Sequence, residues 1–80
     1  ALIGGDVLNS NSSEYNNHYF FSDYLTKEIF SYDYSKDEVT IYPQSTGVDG
    51  FITSLVVNPF KDNSLFVSTS LGEIISIKLP

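Results

Sequence analysis

The single histidine of this chain, His18, is the one side chain suited to act as a general base near neutral pH. A general base needs a group that orients it and a position facing the substrate. His18 starts a predicted strand after a polar loop, and no carboxylate lies close to it in sequence. The sequence also has no catalytic Ser/His/Asp set, phosphate-cradling glycine loop or zinc-ligand pattern. We therefore expect a surface or packing role for His18 and assign the chain no catalytic residue.

Asp23, Tyr24 and Lys27 form the sharpest candidate site, because they lie where a predicted strand ends in a tight turn. An aspartate there could accept a hydrogen bond from a ligand hydroxyl, a tyrosine could stack on a ring, and Lys27 could reach an anionic group. Each residue also has a simpler explanation. Asp23 would cap the turn by accepting backbone N–H groups, Tyr24 would pack between sheets, and Lys27 would be solvated.

Two further polar clusters are explained better by turns than by ligands. Asp33, Asp37 and Glu38 surround one predicted turn, but calcium needs six to eight oxygens from a preorganised loop and the spacing matches no EF-hand. Charges there would protect an outer strand from pairing with another chain. Asp62-Asn63 follows Asn58-Pro59, which is a turn signal. We therefore assign no metal ligand in this chain.

An internal repeat indicates which elements position these residues. Residues 20–32 reappear, one residue shorter, as residues 66–77, with Phe, Ser, Leu, Glu, Ile and Ser identical in the two copies. The offset is 46 residues before a gap near Thr26 and 45 after it. Both copies predict a strand, a short turn and a second strand. A β-repeat of about 40–50 residues is typical of propeller blades.

Alternation of polar and apolar residues predicts seven strands and no helix. The predicted strands span residues 2–8, 18–23, 28–34, 38–42, 52–58, 64–69 and 74–79. We expect one complete blade over 1–42, a linker over 43–51, and an incomplete closing blade over 52–80. Pro43 is expected to end the fourth strand. The fold class is therefore all-β: two adjacent four-stranded antiparallel blades of a β-propeller, the second lacking its outermost strand.

The side-chain pattern of the first blade gives two more expectations. The adjacent Gly4 and Gly5 lie within a predicted strand, where such a pair marks a bulge or a close backbone approach. Phe30, Tyr32 and Tyr34 alternate along another predicted strand and share one of its faces. We expect this aromatic face to pack between blades.

The charge of the chain excludes two classes of partner. The net charge is −6, with four lysines and no arginine, which opposes binding to nucleic acids and to anionic membranes. The longest apolar runs, such as Leu55-Val56-Val57, are also too short to span a bilayer. A ring-shaped propeller hides sheet edges by completing its last blade with a strand from elsewhere in the domain. We therefore expect the partners to be the remaining blades of a larger propeller, with this chain its C-terminal fragment, or copies of this chain.

Two segments resemble a known enzyme family. Gly4-Gly5-Asp6-Val7, followed by a polar loop and the run from Tyr19 to Phe30, resembles the last blades of the glucose/sorbosone dehydrogenases, the soluble PQQ-dependent aldose dehydrogenase type. That family has a Gly-Gly strand, then Tyr-Phe-x-x-Asp-Tyr, a glycine-containing turn and Ile-aromatic. Residues 52–77 are similar to its closing blade. The Asp-Tyr element also resembles sugar-lactonase, NHL and YWTD propellers, and Lys27 stands in the turn where the family usually has glycine.

The resemblance implies a six-bladed propeller outside the cytoplasm, periplasmic or secreted. It implies PQQ and calcium at the channel mouth and a histidine that takes a proton from a sugar hydroxyl. The family's base and most cofactor contacts lie in earlier blades, and its PQQ-binding arginines have no counterpart in this chain. The turn with Asp23, Tyr24 and Lys27 would face the sugar-side mouth.

The expected function follows from this resemblance. The chain would be the C-terminal part of an aldose dehydrogenase-like propeller, closing the ring, lining part of the mouth and remaining inactive alone. Two alternatives stay open. One is a non-catalytic propeller module that binds a protein or a glycan. The other is a two-blade unit that assembles with copies of itself.

Overall fold

The computed structural model of the chain describes residues 1–9, 14–42 and 46–79. This part of the chain is all-β and contains no helix, so it has none that could cross a membrane. Seven strands follow one another along the chain: β1 (Leu2–Val7), β2 (His18–Asp23), β3 (Ile29–Asp33), β4 (Glu38–Ile41), β5 (Ile52–Val57), β6 (Ser64–Thr69) and β7 (Ile74–Lys78). They form two antiparallel sheets, one in the order β1-β2-β3-β4 and the other in the order β5-β6-β7.

The predicted fold class is confirmed. All seven predicted strands are present, and their ends differ from the predicted ends by at most one residue. The two sheets have the arrangement of adjacent blades, the second of which lacks one strand. The prediction that Pro43 ends the fourth strand falls on a residue outside the described part. Residues 44–45 of the predicted linker and Pro80 of the predicted closing blade also lie outside it.

The repeat in the sequence is also a repeat in register. The hairpin of β2 and β3 and the hairpin of β6 and β7 pair their repeated residues in the same way. In each, the phenylalanine lies opposite the second serine and the first serine lies opposite the isoleucine. These pairs are Phe20–Ser31 and Ser22–Ile29 in the first sheet, and Phe66–Ser76 and Ser68–Ile74 in the second.

The hydrophobic core lies between the two sheets. One cluster of buried apolar side chains includes residues from both of them: Leu8, Phe20, Ile29, Val48, Ile52, Leu55, Leu65, Val67, Ile77 and Leu79. Burial of each large side chain contributes about 1.5–3 kcal/mol to folding. A polar contact adds to this packing, because the Asp6 carboxylate accepts the Val57 N–H at 3.1 Å and so joins β1 to β5.

The glycine pair in β1 makes the close backbone approach that its sequence predicts. The pairing of β1 with β2 shifts in register between Ile3 and Asp6. A Cβ atom on Gly5 would overlap the carbonyl oxygen of Phe20, so only glycine fits there. The Gly5 N–H donates instead to the Tyr19 hydroxyl at 2.8 Å.

The first sheet packs on the second through the face that carries Phe20 and Ile29, both of which are buried. Its opposite face, which we call the aromatic face, consists of Tyr19, Phe21, Phe30, Tyr32, Val39 and Ile41, which alternate with the buried residues and pair across the strands. Phe30, Tyr32 and Tyr34 therefore do not pack between these two sheets, and their packing between blades stays a prediction for a blade outside this pair. Tyr34 is 81% exposed.

Candidate functional site

Three segments meet at one end of the molecule, which we call the turn end. Because neighbouring strands are antiparallel, the β2–β3 turn, the β6–β7 turn and residues 46–51 before β5 lie at the same end of the sheets. The Lys27 ammonium donates to the Asp49 carbonyl oxygen at 2.8 Å. The Gly50 N–H donates to Glu73 Oε1 at 2.9 Å. The Lys27 bond thus holds the candidate turn to residues 46–51, and the Glu73 bond holds these residues to the β6–β7 turn.

Asp23 organises its own turn. Its Oδ1 accepts the backbone N–H of Leu25 at 2.9 Å and that of Thr26 at 3.3 Å. These two hydrogen bonds, Leu25 foremost, lower the pKa of the Asp23 carboxyl because they favour its charged form. The Ala1 ammonium lies 4.0 Å from the same oxygen. The structure therefore gives Asp23 the capping role, and a sugar hydroxyl would have to share this carboxylate.

Tyr24 packs across the two sheets against Phe51. The ring centroids are 5.0 Å apart and the ring planes are inclined by 30°. Tyr24 belongs to the β2–β3 turn, whereas Phe51 immediately precedes β5. Tyr24 is only partly buried and Phe51 is exposed, so the aromatic pair also presents apolar surface to solvent at the turn end.

Lys27 anchors residues 46–51 rather than extending freely into solvent. Its side chain is partly buried. Besides its bond to the Asp49 carbonyl, its Nζ lies 5.5 Å from the centroid of the Phe51 ring, within the range of a cation–π interaction. Lys27 thus keeps the partial solvent exposure expected of a turn lysine and also makes these contacts. Tyr24, Lys27 and Phe51 form one compact group, which we call the turn-end group.

Glu73 supports this group from the second sheet. Its Oε1 accepts the Gly50 N–H and, at 2.8 Å, the Thr69 hydroxyl. These bonds, the one from Gly50 foremost, lower the pKa of Glu73. A Cβ on Gly50 would lie 2.8 Å from Thr69 Oγ1, so a side chain there would disturb the contact. Sequence reasoning missed Glu73 and Phe51, although the repeat pairs Glu73 with Glu28 and the Asp49-Gly50 turn signal directly precedes Phe51.

The turn end does not fit the PQQ that the resemblance implies. PQQ carries carboxylates and needs cationic donors, for which arginine is best suited. The turn end offers one ammonium, that of Lys27, and it is already bonded to a carbonyl oxygen. The Glu73 carboxylate interacts electrostatically with Lys27, and its negative charge would repel the cofactor. Among the described residues, no three acidic or histidine side chains form a group that could hold a metal ion.

His18 lies at the opposite end of the first sheet and is paired with a carboxylate. Its Nε2 is 3.4 Å from Asp33 Oδ2, because the β2–β3 register places these residues opposite each other. Strand pairing thus gives His18 a carboxylate partner that is not close to it in sequence. The Ser35 hydroxyl donates to Asp33 Oδ1 at 2.7 Å, and this bond is the main cause of a lowered Asp33 pKa, to which His18 contributes less. His18 and the turn-end group cannot act on one substrate.

The other polar clusters lie in turns at this second end. Asp37 accepts the Tyr32 hydroxyl at 2.9 Å within the β3–β4 turn. Asp62 and Asn63 lie in the β5–β6 turn and line an open cleft of about 310 Å³ that Asp6 borders from the other sheet. The turn roles predicted for these residues agree with their positions.

The chain matches no protein family, no curated protein and no solved structure. The resemblance to the dehydrogenase family therefore rests on the sequence motifs that carry it.

Proposed function

We propose that this chain is part of a larger β-propeller similar to the glucose/sorbosone dehydrogenases, in which it closes the ring and lines part of the sugar-side mouth. The whole protein, periplasmic or secreted, would oxidise an aldose or a related alcohol with PQQ as the hydride acceptor. The base and the groups that hold PQQ and calcium would belong to other blades. The 80-residue chain alone would be inactive.

The observation that supports this proposal is the turn-end group. Tyr24 and Phe51 come from different sheets and together offer an apolar ring surface at one end of both blades. The carboxylate of Asp23 belongs to the same turn as Tyr24 and is an acceptor for hydroxyl groups. An apolar platform beside a carboxylate acceptor suits a neutral sugar ring. A net charge of −6 disfavours phosphorylated or acidic sugars.

The same geometry supports a binding role for this chain without a catalytic one. Removing a proton from a bound sugar hydroxyl requires a base within about 2.6–3.2 Å of it. His18 lies at the other end of β2, next to Asp33. A sugar held at the turn end therefore needs a base from another blade.

The first experiment is to determine the mass of the native particle that contains this sequence and to identify every polypeptide in it. The proposal is supported if this sequence is part of a longer propeller chain, or is bound to one. The other blades of that chain should carry a histidine and arginines. Dye reduction with an aldose, PQQ and calcium should then occur with the whole particle and not with these 80 residues. A particle without further blades, or activity of the 80 residues alone, contradicts it.

A second experiment addresses the turn end directly. A ¹⁵N-labelled chain titrated with glucose should show saturable shifts of residues 24–27 and 49–51, with a dissociation constant on the order of millimolar. Phe51→Ala should weaken binding severalfold. Phe60→Ala is the matched control, because Phe60 is also an exposed phenylalanine but lies in the β5–β6 turn at the other end. Equal effects of the two substitutions would contradict a sugar site at the turn end.

A second candidate is a non-catalytic propeller that binds a glycan. The specific observation in its favour is the poor fit of the turn end to PQQ, where the lysine is already bonded to a carbonyl oxygen and interacts with the Glu73 carboxylate. The two candidates differ in the assay of the native particle. Sugar binding without dye reduction, in the presence of added PQQ and calcium, supports the binding module and contradicts the dehydrogenase.

A further inference from the structure

Each sheet has one face that the other sheet does not cover. In the first sheet it is the aromatic face. In the second sheet it is a face that we call the serine face, on which Ile74 is 75% exposed. Hydroxyl groups contact one another across its strands, Ser54 with Ser68 at 2.5 Å and Ser64 with Ser76 at 3.0 Å. The serine face consists of Ser54, Val56, Phe66, Ser68, Ile74 and Ser76, and the fully buried Ser64 lies at its edge, at the start of β6.

The serine face is the repeat of a face that is already covered. The first sheet packs on the second through side chains that include Phe20 and Ile29. By the repeat, the uncovered Phe66, Ser68, Ile74 and Ser76 correspond to the covered Phe20, Ser22, Ile29 and Ser31, with the same residue type at every position. The cross-strand pairs are also the same in the two hairpins. The second sheet thus presents to solvent the surface that the first sheet uses for packing.

The aromatic face is the matching half of the same interface. Its members Tyr19, Phe21, Phe30 and Tyr32 correspond by the repeat to Leu65, Val67, Ile75 and Ile77, through which the second sheet packs on the first. All eight positions are apolar or aromatic. The six residues of the aromatic face carry no charge, and they include Tyr19–Phe21 and Phe21–Phe30 ring stacks at 5.8 and 5.1 Å.

We propose that the serine face of one copy of this chain docks on the aromatic face of a second copy, head to tail. The contact continues the packing between the two sheets of one chain, with the same residue types on the serine side and apolar residues on the other. A second copy is the occupant because every copy carries both matching halves. An interface of this kind is heterologous, and it closes into a ring if the rotation per chain permits. This inference rests on the two-blade fold and concerns the 80-residue chain on its own; within the larger propeller proposed above, neighbouring blades would occupy the same two faces.

The experiment is sedimentation equilibrium of the full chain and of single variants that block one face each. Ile74→Asp places a charge on the serine face, and Val39→Asp, at a side chain that is 56% exposed, places one on the aromatic face. Both positions are exposed, so the fold should persist, which far-UV circular dichroism checks. The matched controls are Leu71→Asp and Leu25→Asp, leucines 68% and 63% exposed in the two equivalent turns and off both faces.

We expect the unmodified chain and both controls to form oligomers. Each face variant should be monomeric alone, with association weakened at least about tenfold, or about 1.4 kcal/mol. An equimolar mixture of the two face variants should form a dimer, because one supplies an intact aromatic face and the other an intact serine face. Measurements at about 0.15 M salt limit repulsion between chains of charge −6.

Three results would overturn the proposal. A chain that stays monomeric at concentrations of hundreds of micromolar would show that copies do not dock on each other, so that only blades of other sequence could cover the two faces. Oligomers of unchanged stability in both face variants would place the contact elsewhere. A mixture of variants that remains monomeric would exclude the head-to-tail pairing. None of these results decides whether the native particle oxidises sugars, which the dye-reduction assay measures separately.

Discussion

Lys27 and Gly72 occupy the same position in the two repeated turns, and both have a left-handed backbone, with φ of 62° and 82°. The N–H of Lys27 donates to the Asp23 carbonyl at 3.1 Å, and that of Gly72 to the Thr69 carbonyl at 3.0 Å. A side chain in this conformation costs about 1–2 kcal/mol relative to glycine. Lys27 stands where the resembled family usually has glycine, and its contacts with Asp49 and Phe51 offset this cost.

Substitutions at Lys27 should separate the backbone cost from the side-chain contacts. Lys27→Ala keeps the left-handed strain and loses the contacts with Asp49 and Phe51, so we expect a loss of about 1 kcal/mol. Lys27→Gly loses the same contacts but also the strain, so its free energy of unfolding should be close to that of the unmodified chain. Urea unfolding followed by circular dichroism measures both values.

Gly72→Ala is the matched control in the other turn. A Cβ there would meet no atom within 4 Å, so any destabilisation comes from the backbone conformation alone. We expect a loss of about 1 kcal/mol. Equal stabilities of Lys27→Ala and Lys27→Gly, or a neutral Gly72→Ala, would mean that the turns do not hold these residues in the left-handed region.

The two adjacent glycines of β1 should differ sharply in their tolerance of alanine. A Cβ on Gly5 would overlap the Phe20 carbonyl oxygen, and backbone atoms cannot move aside as a flexible side chain can. A Cβ on Gly4 would only touch the Tyr19 hydroxyl at 3.5 Å, an ordinary contact. We expect Gly5→Ala to cost about 3 kcal/mol or more and Gly4→Ala less than about 1 kcal/mol. Similar unfolding midpoints for the two variants would be inconsistent with this close approach.

The strands and their order could be predicted because alternation and turn residues are local signals. The Gly4-Gly5 pair predicts the irregularity in β1, and the repeat predicts two equivalent hairpins with the same pairing. These features depend on a few neighbouring residues, and period-two alternation defines the two faces of a strand without reference to the rest of the fold.

The packing face of the first sheet could not be predicted from alternation alone. In β3 both faces are partly apolar, since Ile29 lies on one and Phe30 on the other. Aromatic content favoured the Phe30 face, whereas the structure buries the Ile29 face. The repeat does not decide the matter either, because its two isoleucines differ: Ile29 is buried and Ile74 is 75% exposed.

The contacts of His18 and Glu73 depend on distances across the fold. His18 and Asp33 are far apart in sequence, and the short β2–β3 turn brings them together. The pairing of His18 with Asp33 could have been predicted by matching residues of β2 and β3 one by one, starting from the turn that joins them. Glu73 meets the Gly50 N–H only when the second sheet is assembled, so no local pattern contains that contact.

The ionised carboxylate of Glu73 should stabilise the folded protein, and this contribution should be lost when acid protonates it. Its pKa in the folded state is lowered below the ordinary value of 4.5, so its contribution is fully present above about pH 4.5 and is lost as the pH falls through the folded pKa. Glu73→Gln keeps an acceptor oxygen but cannot ionise. The variant should be less stable than the unmodified chain at pH 7, and the difference should shrink below pH 4.5.

The measurement for Glu73 is the urea midpoint as a function of pH for both proteins. Asp23 and Asp33 also have lowered pKa values, so both proteins should lose stability in acid and only their difference reports on Glu73. Glu38→Gln, an exposed carboxylate of β4, is the control. A difference between Glu73→Gln and the unmodified chain that is constant from pH 7 to pH 3 would rule out the charge of Glu73 as its cause.

The contact between Tyr24 and Phe51 should appear as a coupling energy in a double-mutant cycle. The two rings join different sheets, so truncating either to alanine removes the same contact, and the double variant should lose less than the sum of the single losses. We expect a coupling of about 0.5–1.5 kcal/mol. Tyr32 and Tyr34, which lie 6.4 Å apart within the first sheet, provide a comparison pair in which Tyr34 is exposed, and their coupling should be smaller. Additive losses at Tyr24 and Phe51 would show that the turn end does not tie the two sheets together, because independent side chains have no shared contact to lose.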